Sequence, residues 1–157
     1  MRRRAFFTIA IALAVLMVEL GPASRRAEAD NTIPNLTANP MYFGAFTSMT
    51  FGGGFVSFDI TSQDGRHFEG VITMEFGGMA SMGFMFEGTV TPAPNEVPGH
   101  EFKARGKGPA GEVMVDGTVT PLGGNLFLIT FTYVFTSPSG AMDTGMGAAS
   151  NAPSGGT

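Results

Sequence analysis

The sequence predicts an all-β protein, an antiparallel meander of about seven to eight strands curled into a small closed or nearly closed barrel, with a β-sandwich as the alternative architecture. Three observations predict it. Between residues 41 and 136, apolar and polar residues alternate with the period of half-buried strands. Short turns rich in glycine, proline and aspartate separate the alternating runs at hairpin spacing. One pattern also occurs three times, as Phe68-Glu69-Gly70-Val71-Ile72-Thr73, Phe86-Glu87-Gly88-Thr89-Val90-Thr91 and Val115-Asp116-Gly117-Thr118-Val119-Thr120.

The pattern decides between barrel and sandwich. Alternation puts Gly70, Gly88 and Gly117 on the inward face, where a large side chain is expected, and the acids Glu69, Glu87 and Asp116 outside. Inward glycines at matching positions relieve crowding where a sheet bends sharply, as a small barrel requires.

Residues 30–40 are turn formers and read as an irregular lead-in. The β-prone, uncharged run from Met41 to Phe51 ends at Gly52-Gly53-Gly54. Phe55–Thr61 then alternates, with Val56, Phe58 and Ile60 on one face. A three-residue loop over Gln63–Gly65 would pair Ile60 with Phe68, Phe58 with Gly70 and Val56 with Ile72, keeping the apolar residues on one side. The next strand runs from His67 to Phe76, and a glycine-flanked link leads to another at Phe84–Thr91. Facing Phe76 with Phe84 sets Glu87 opposite Thr73 and Glu69 opposite Thr91, pairs worth roughly 0.2–1 kcal/mol each. In the same register Asp59 faces Glu69.

A proline-rich loop precedes His100–Lys107, whose outer face carries Glu101, Lys103, Arg105 and Lys107, a charge pattern of solvent faces and sheet edges. Glu112–Thr120 follows. The run Asn125–Thr136 is apolar on both faces, with Phe127, Ile129, Phe131, Tyr133 and Phe135 on one and Leu126, Leu128 and Val134 on the other. Such a strand is covered on both sides or offers an apolar surface to a partner. Residues 137–157, rich in glycine, alanine, serine and proline, read as a flexible tail.

Residues 1–29 carry the marks of a cleaved export signal. Arg2, Arg3 and Arg4 form a basic start, Ala5–Val18 is an apolar run of 14 residues, and Ala27-Glu28-Ala29 is a small-x-small cleavage site. The run is too short to span a bilayer, so no integral membrane span is expected after cleavage. Arg3-Arg4-Ala5-Phe6-Phe7 resembles the twin-arginine export motif in part, which implies a periplasmic or secreted bacterial protein.

The expected mature chain has about 128 residues, with four basic residues against eleven acidic ones and a net charge near −7. Nucleic acid and anionic membrane surfaces, which both demand cations, are excluded by this balance. No cysteine is present, which removes thiol catalysis, zinc-thiolate sites and iron–sulfur clusters.

Catalysis finds little footing. His67 and His100 lie on separate strands, and no nucleophile, zinc or phosphate-loop motif is present. The leading expectation is a non-catalytic binding module holding a small hydrophobic molecule in its interior or mouth, lined by Phe58, Phe68, Met74 and Phe86. The competing expectation is a structural or interaction protein of the cell envelope, associating, as a homo-oligomer among other modes, through residues 125–136. A minor alternative is Cu(I) binding by Met79, Met82 and Met85, since thioethers are soft ligands; no metal site or cofactor is otherwise assigned.

Overall fold

A computed structural model describes residues 33–77, 80–92 and 99–153. The expected export signal at residues 1–29 and Met79 lie outside the described residues.

Eight antiparallel strands follow one another in chain order around a closed barrel. They are β1 (Met41–Ser48), β2 (Gly52–Asp64), β3 (His67–Phe76), β4 (Met82–Pro92), β5 (His100–Gly108), β6 (Gly111–Gly123), β7 (Leu126–Thr136) and β8 (Met142–Ser150). The ring closes where β1 pairs with β8, from Phe43↔Ser150 to Ser48↔Gly145. Closure satisfies every strand on both sides and leaves no open edge. The charged strand β5 is therefore an internal strand with a solvent face, not an edge.

The expected tail requires correction. Met142–Ser150, within residues 137–157, is the strand that completes the barrel, paired with β7 as well as β1. Its inward residues are Asp143, Gly145, Gly147 and Ala149, too small and polar to read as a core strand. They are small because neighbouring rings occupy the space. A Cβ on Gly145 would stand 2.6 Å from the Tyr133 ring, and one on Gly147 would stand 2.7 Å from the Phe131 ring.

The β2–β3 hairpin also differs from expectation. The strands turn at Gly65-Arg66, with Asp64 facing His67 and Gly65 at a φ of 56°. A bulge between Ile60 and Ser62 absorbs one residue, and Ile60 then faces Gly70 and Phe58 faces Ile72. The bulge, not a longer loop, keeps the apolar residues inside. Likewise Phe84 faces Ile72, so Glu69 lies opposite Glu87 and not Thr91, while Asp59 faces Val71.

The pattern glycines do point inward, and their neighbours explain them. Phe68 faces Gly88 and Gly70 faces Phe86, so two copies of Phe-Glu-Gly cross antiparallel and each ring covers the other's glycine. A Cβ on Gly70 would also stand 1.9 Å from the Asp59 carbonyl oxygen, and one on Gly117 would stand 2.1 Å from that of Thr130. Strands approach one another at these points more closely than any side chain permits.

Candidate functional site

The structure brings Phe58, Phe68, Met74 and Phe86 into one continuous core, all at most 4% exposed. Phe58 makes edge contacts with Phe86, Phe102 and Phe131 at ring separations of 5.4–6.1 Å. Phe68 stacks on Phe102 at 4.9 Å and meets Phe86 edge-on at 5.7 Å. These side chains cover one another, as side chains filling a barrel of eight strands do.

Both ends of the barrel are covered. At the end where the chain enters, residues 33–40 fold across the opening and bury Leu36 completely. Gln63 holds this segment, donating to the Pro34 carbonyl at 2.9 Å and accepting from the Leu36 N–H at 2.8 Å. The Tyr42 hydroxyl donates to the Leu36 carbonyl, and its burial pushes the phenol's pKa up. Asn39 and Asn151 donate their amide groups to each other's backbone carbonyls at 2.7 and 3.0 Å, and Asn151 also bridges Asn125 and Phe127.

The opposite end is organised by Asp143, which points inward and is 3% exposed. Its carboxylate accepts from the Tyr133 hydroxyl at 2.7 Å, from Ser48 Oγ at 2.8 Å and from the Thr50 N–H at 3.2 Å. Burial alone would raise its pKa, but the hydrogen bonds from Tyr133, Ser48 and Thr50 outweigh it and hold the carboxyl below the usual range. Tyr133 is pushed the other way, by burial first and then by the adjacent carboxylate. Ser48 Oγ accepts from the Thr50 and Phe51 N–H groups in turn. This fixes the β1–β2 turn with Phe51 against Phe76, ring centres 5.4 Å apart. No histidine joins the serine to the aspartate, so the cluster has hydrogen-bonding geometry without a general base for nucleophilic attack.

The outer wall is divided in two. On β3–β6 the outward residues include Glu69, Glu75, Glu87, Glu101, Lys103, Arg105, Lys107, Glu112 and Asp116. Arg105 pairs with Glu112, and Lys103 with Glu101 at 2.9 Å. Each partner's charge and hydrogen bond lower the pKa of Glu101 and Glu112 and raise that of Lys103 and Arg105. A depression of about 620 Å³ rimmed by charged side chains lies over this wall around Glu69, Glu87 and Lys103.

On β7, β8 and β1 no outward residue is charged. Their outward positions hold Leu126, Leu128, Val134, Met142, Met146, Met41 and Phe43, interspersed with threonine, alanine and serine. With Phe55 of β2 this wall exposes large apolar side chains, Phe43 at 62% and Phe55 at 70%. In its middle the outward residues are small. Ala45, Thr47, Thr130 and Thr132, with Met146 on one side and Asp116 at the β6 border, line a groove of about 630 Å³. Thr132 and Thr47 both flank Met146, facing it from the two neighbouring strands.

No protein-family model, curated protein or solved structure matches the chain.

The expected methionine cluster does not assemble on β4. Met82 points inward beside Met74 and is packed on the core, whereas Met85 points outward and is 70% exposed. Residues three apart on a strand face opposite sides, so a Met-x-x-Met spacing that suits a loop cannot converge there. His67 and His100 likewise separate, His67 exposed and His100 buried. Among the described residues no three histidine, aspartate or glutamate side chains gather closely enough to hold a metal ion.

Sequence reasoning missed the groove. Ala45 on β1 lies 85 residues before Thr130 and 101 before Met146, and none of the three side chains carries a chemical signature of a site. Thr130 and Thr132 interrupt the outward apolar residues of β7, and that interruption is the one signal of the groove present in the sequence.

Proposed function

We propose that this chain is an exported, non-catalytic binding barrel whose ligand is a small hydrophobic molecule lying along the outer groove of β1, β8 and β7. The observation that carries the reading is the groove itself, about 630 Å³ along the uncharged strands β1, β8 and β7, with the Asp116 carboxylate at its β6 border. The groove lies open along the wall, and its lining is mostly apolar with a few hydroxyls and one carboxylate, which suits an apolar molecule with a polar end. Phe58, Phe68, Met74 and Phe86 support the barrel from within under this reading, because their surfaces are already taken by neighbouring rings. The charged belt on β3–β6 also favours a barrel surrounded by water. Membrane-spanning barrels carry an apolar band outside and polar residues within, the reverse of the arrangement here.

Native mass spectrometry and fluorescence titration with an apolar probe test the proposal. A co-purified lipid-like mass, or probe binding abolished by Ala45→Glu and by Thr130→Glu, is the expected result. Probe binding retained by both variants but lost on Phe58→Ala would return the site to the interior.

A second reading has its own support. Phe43, Phe55, Leu128 and Val134 extend the uncharged surface beyond the groove, which suits self-association. Sedimentation of the purified protein decides between them: a ligand-free dimer that Phe43→Glu dissociates favours the second.

A further inference from the structure

One charge lines the groove of β1, β8 and β7, the carboxylate of Asp116. Asp116 of β6, Thr132 of β7, Met146 of β8 and Thr47 of β1 stand directly opposite one another, strand to strand, on the outer face. Beside them Thr130, Ala148 and Ala45 form a second row of small side chains. The groove therefore runs across the strands, with Asp116 at one end. Three strand spacings separate β6 from β1, about 14 Å, close to the length of an extended decyl chain.

Among the described residues no cation bonds to the Asp116 carboxylate. Its cross-strand neighbour Lys103 bonds to Glu101 at 2.9 Å, and Glu101 outweighs Asp116 in raising the Lys103 pKa. Arg105 is taken by Glu112. On β3–β6 the outward carboxylates outnumber Lys103, Arg105 and Lys107, so the β6 end of the groove is negative.

The hydroxyls of the lining add acceptors to that charge. Thr47 Oγ1 donates to the Met146 carbonyl and Thr132 Oγ1 to the Asp116 carbonyl, both at 3.4 Å. With their protons turned to the backbone, both oxygens keep lone pairs for the groove. A lining rich in acceptors takes a donor, and an ammonium group carries N–H donors and no acceptor. A carboxylate or phosphate head would meet like charge at the same place.

Resting on the groove reading above, we propose that the ligand is a cationic amphiphile. Its single alkyl chain lies across β7, β8 and β1, and its ammonium group sits on the Asp116 carboxylate.

Isothermal titration of the purified protein tests this with decylammonium, decanol and decanoate, each below its micelle concentration. Decylammonium should bind at least about threefold more tightly than decanol and about tenfold more tightly than decanoate, the size of exposed ion-pair effects. Asp116→Asn keeps the side chain's size, and should weaken decylammonium about threefold to fivefold while leaving decanol unchanged. Glu87→Gln removes an outward carboxylate that does not line the groove, and should leave decylammonium nearly unchanged. Loss of decanol binding in Ala45→Glu places the chain in the groove. Equal affinity for the three heads, a preference that survives in Asp116→Asn, or an equal loss in Glu87→Gln overturns the cationic class and leaves the groove reading standing. Binding of none of the three overturns both.

Discussion

The ring of Phe68 lies over Gly88 of the next strand so closely that a Cβ on Gly88 would stand 2.4 Å from the Phe68 Cζ. The reciprocal contact is somewhat looser but still too close for a side chain, since a Cβ on Gly70 would stand 2.8 Å from the Phe86 ring. Two copies of one three-residue pattern thus lock together around a local two-fold axis. The acids between them, Glu69 and Glu87, face each other outside, where solvent and the nearby cations of β5 offset their repulsion.

Gly88→Ala and Gly70→Ala are each expected to destabilise the barrel by about 2 kcal/mol or more, because overpacking forces the ring and the neighbouring carbonyl apart. Gly83→Ala is the control, since nothing stands within 4 Å of its added Cβ; it should change stability by less than about 0.5 kcal/mol. Urea midpoints measured at constant slope check all three. Phe68→Leu combined with Gly88→Ala should recover part of the loss but not all, because the Lys103 carbonyl still lies 2.3 Å from the new Cβ.

Asp143 should set the acid limit of stability. Its folded pKa lies below the unfolded value. Its contribution is therefore fully present above the unfolded pKa near 4 and is lost as pH falls through the folded value. Asp143→Asn should cost about 2 kcal/mol at neutral pH and flatten the acid limb of the stability curve. Tyr133 acts in the opposite direction. Its pKa is raised, so its contribution holds below about pH 10 and fades as pH rises through the folded value. Tyr133→Phe should reduce the alkaline dependence without abolishing it, since buried Tyr42, whose pKa is also raised, contributes in the same direction; thermal melts between about pH 3 and 12 would reveal this.

Asn151 ties the end of β8 to the lead-in and to the β6–β7 turn through side-chain bonds to Asn39, Asn125 and Phe127. Asn151→Ala should leave the Phe127 N–H without its acceptor and cost about 2–3 kcal/mol. Hydrogen exchange should accelerate at Leu36 and Phe127 while Val115 and Phe131 remain protected.

Removing residues 139–157 deletes β8 and leaves β1 and β7 with unpaired edges. Such a chain is expected to aggregate, since an open apolar edge recruits further strands. Turbidity and light scattering at neutral pH check this; a soluble, cooperatively folding product would contradict it.

Much of the architecture was legible before any coordinates. Alternation decided which residues of β2 to β6 point inward, because side chains on a strand have period two and one face had to be apolar; β7, apolar on both faces, left that choice open. The inwardness of Phe58, Phe68, Met74 and Phe86 follows from that alone, as does the bending role of Gly70, Gly88 and Gly117. Strand pairing was less accessible. A bulge at one residue of β2 and a shift of four positions between β3 and β4 both keep the apolar face inward, so hydrophobic pattern could not choose among them.

What the sequence by itself determined is the class of fold, an antiparallel barrel of short strands with phenylalanine inside and acids outside. What only the tertiary structure decided is the identity of the last strand and the character of the outer wall. Met142–Ser150 is a strand because Tyr133, Phe131 and Phe46 supply the bulk its own glycines lack, a complementarity between residues far apart in the chain. The uncharged wall and the groove along it exist because the first strand pairs with the last. Closure of the ring, not proximity in sequence, puts those side chains on one face.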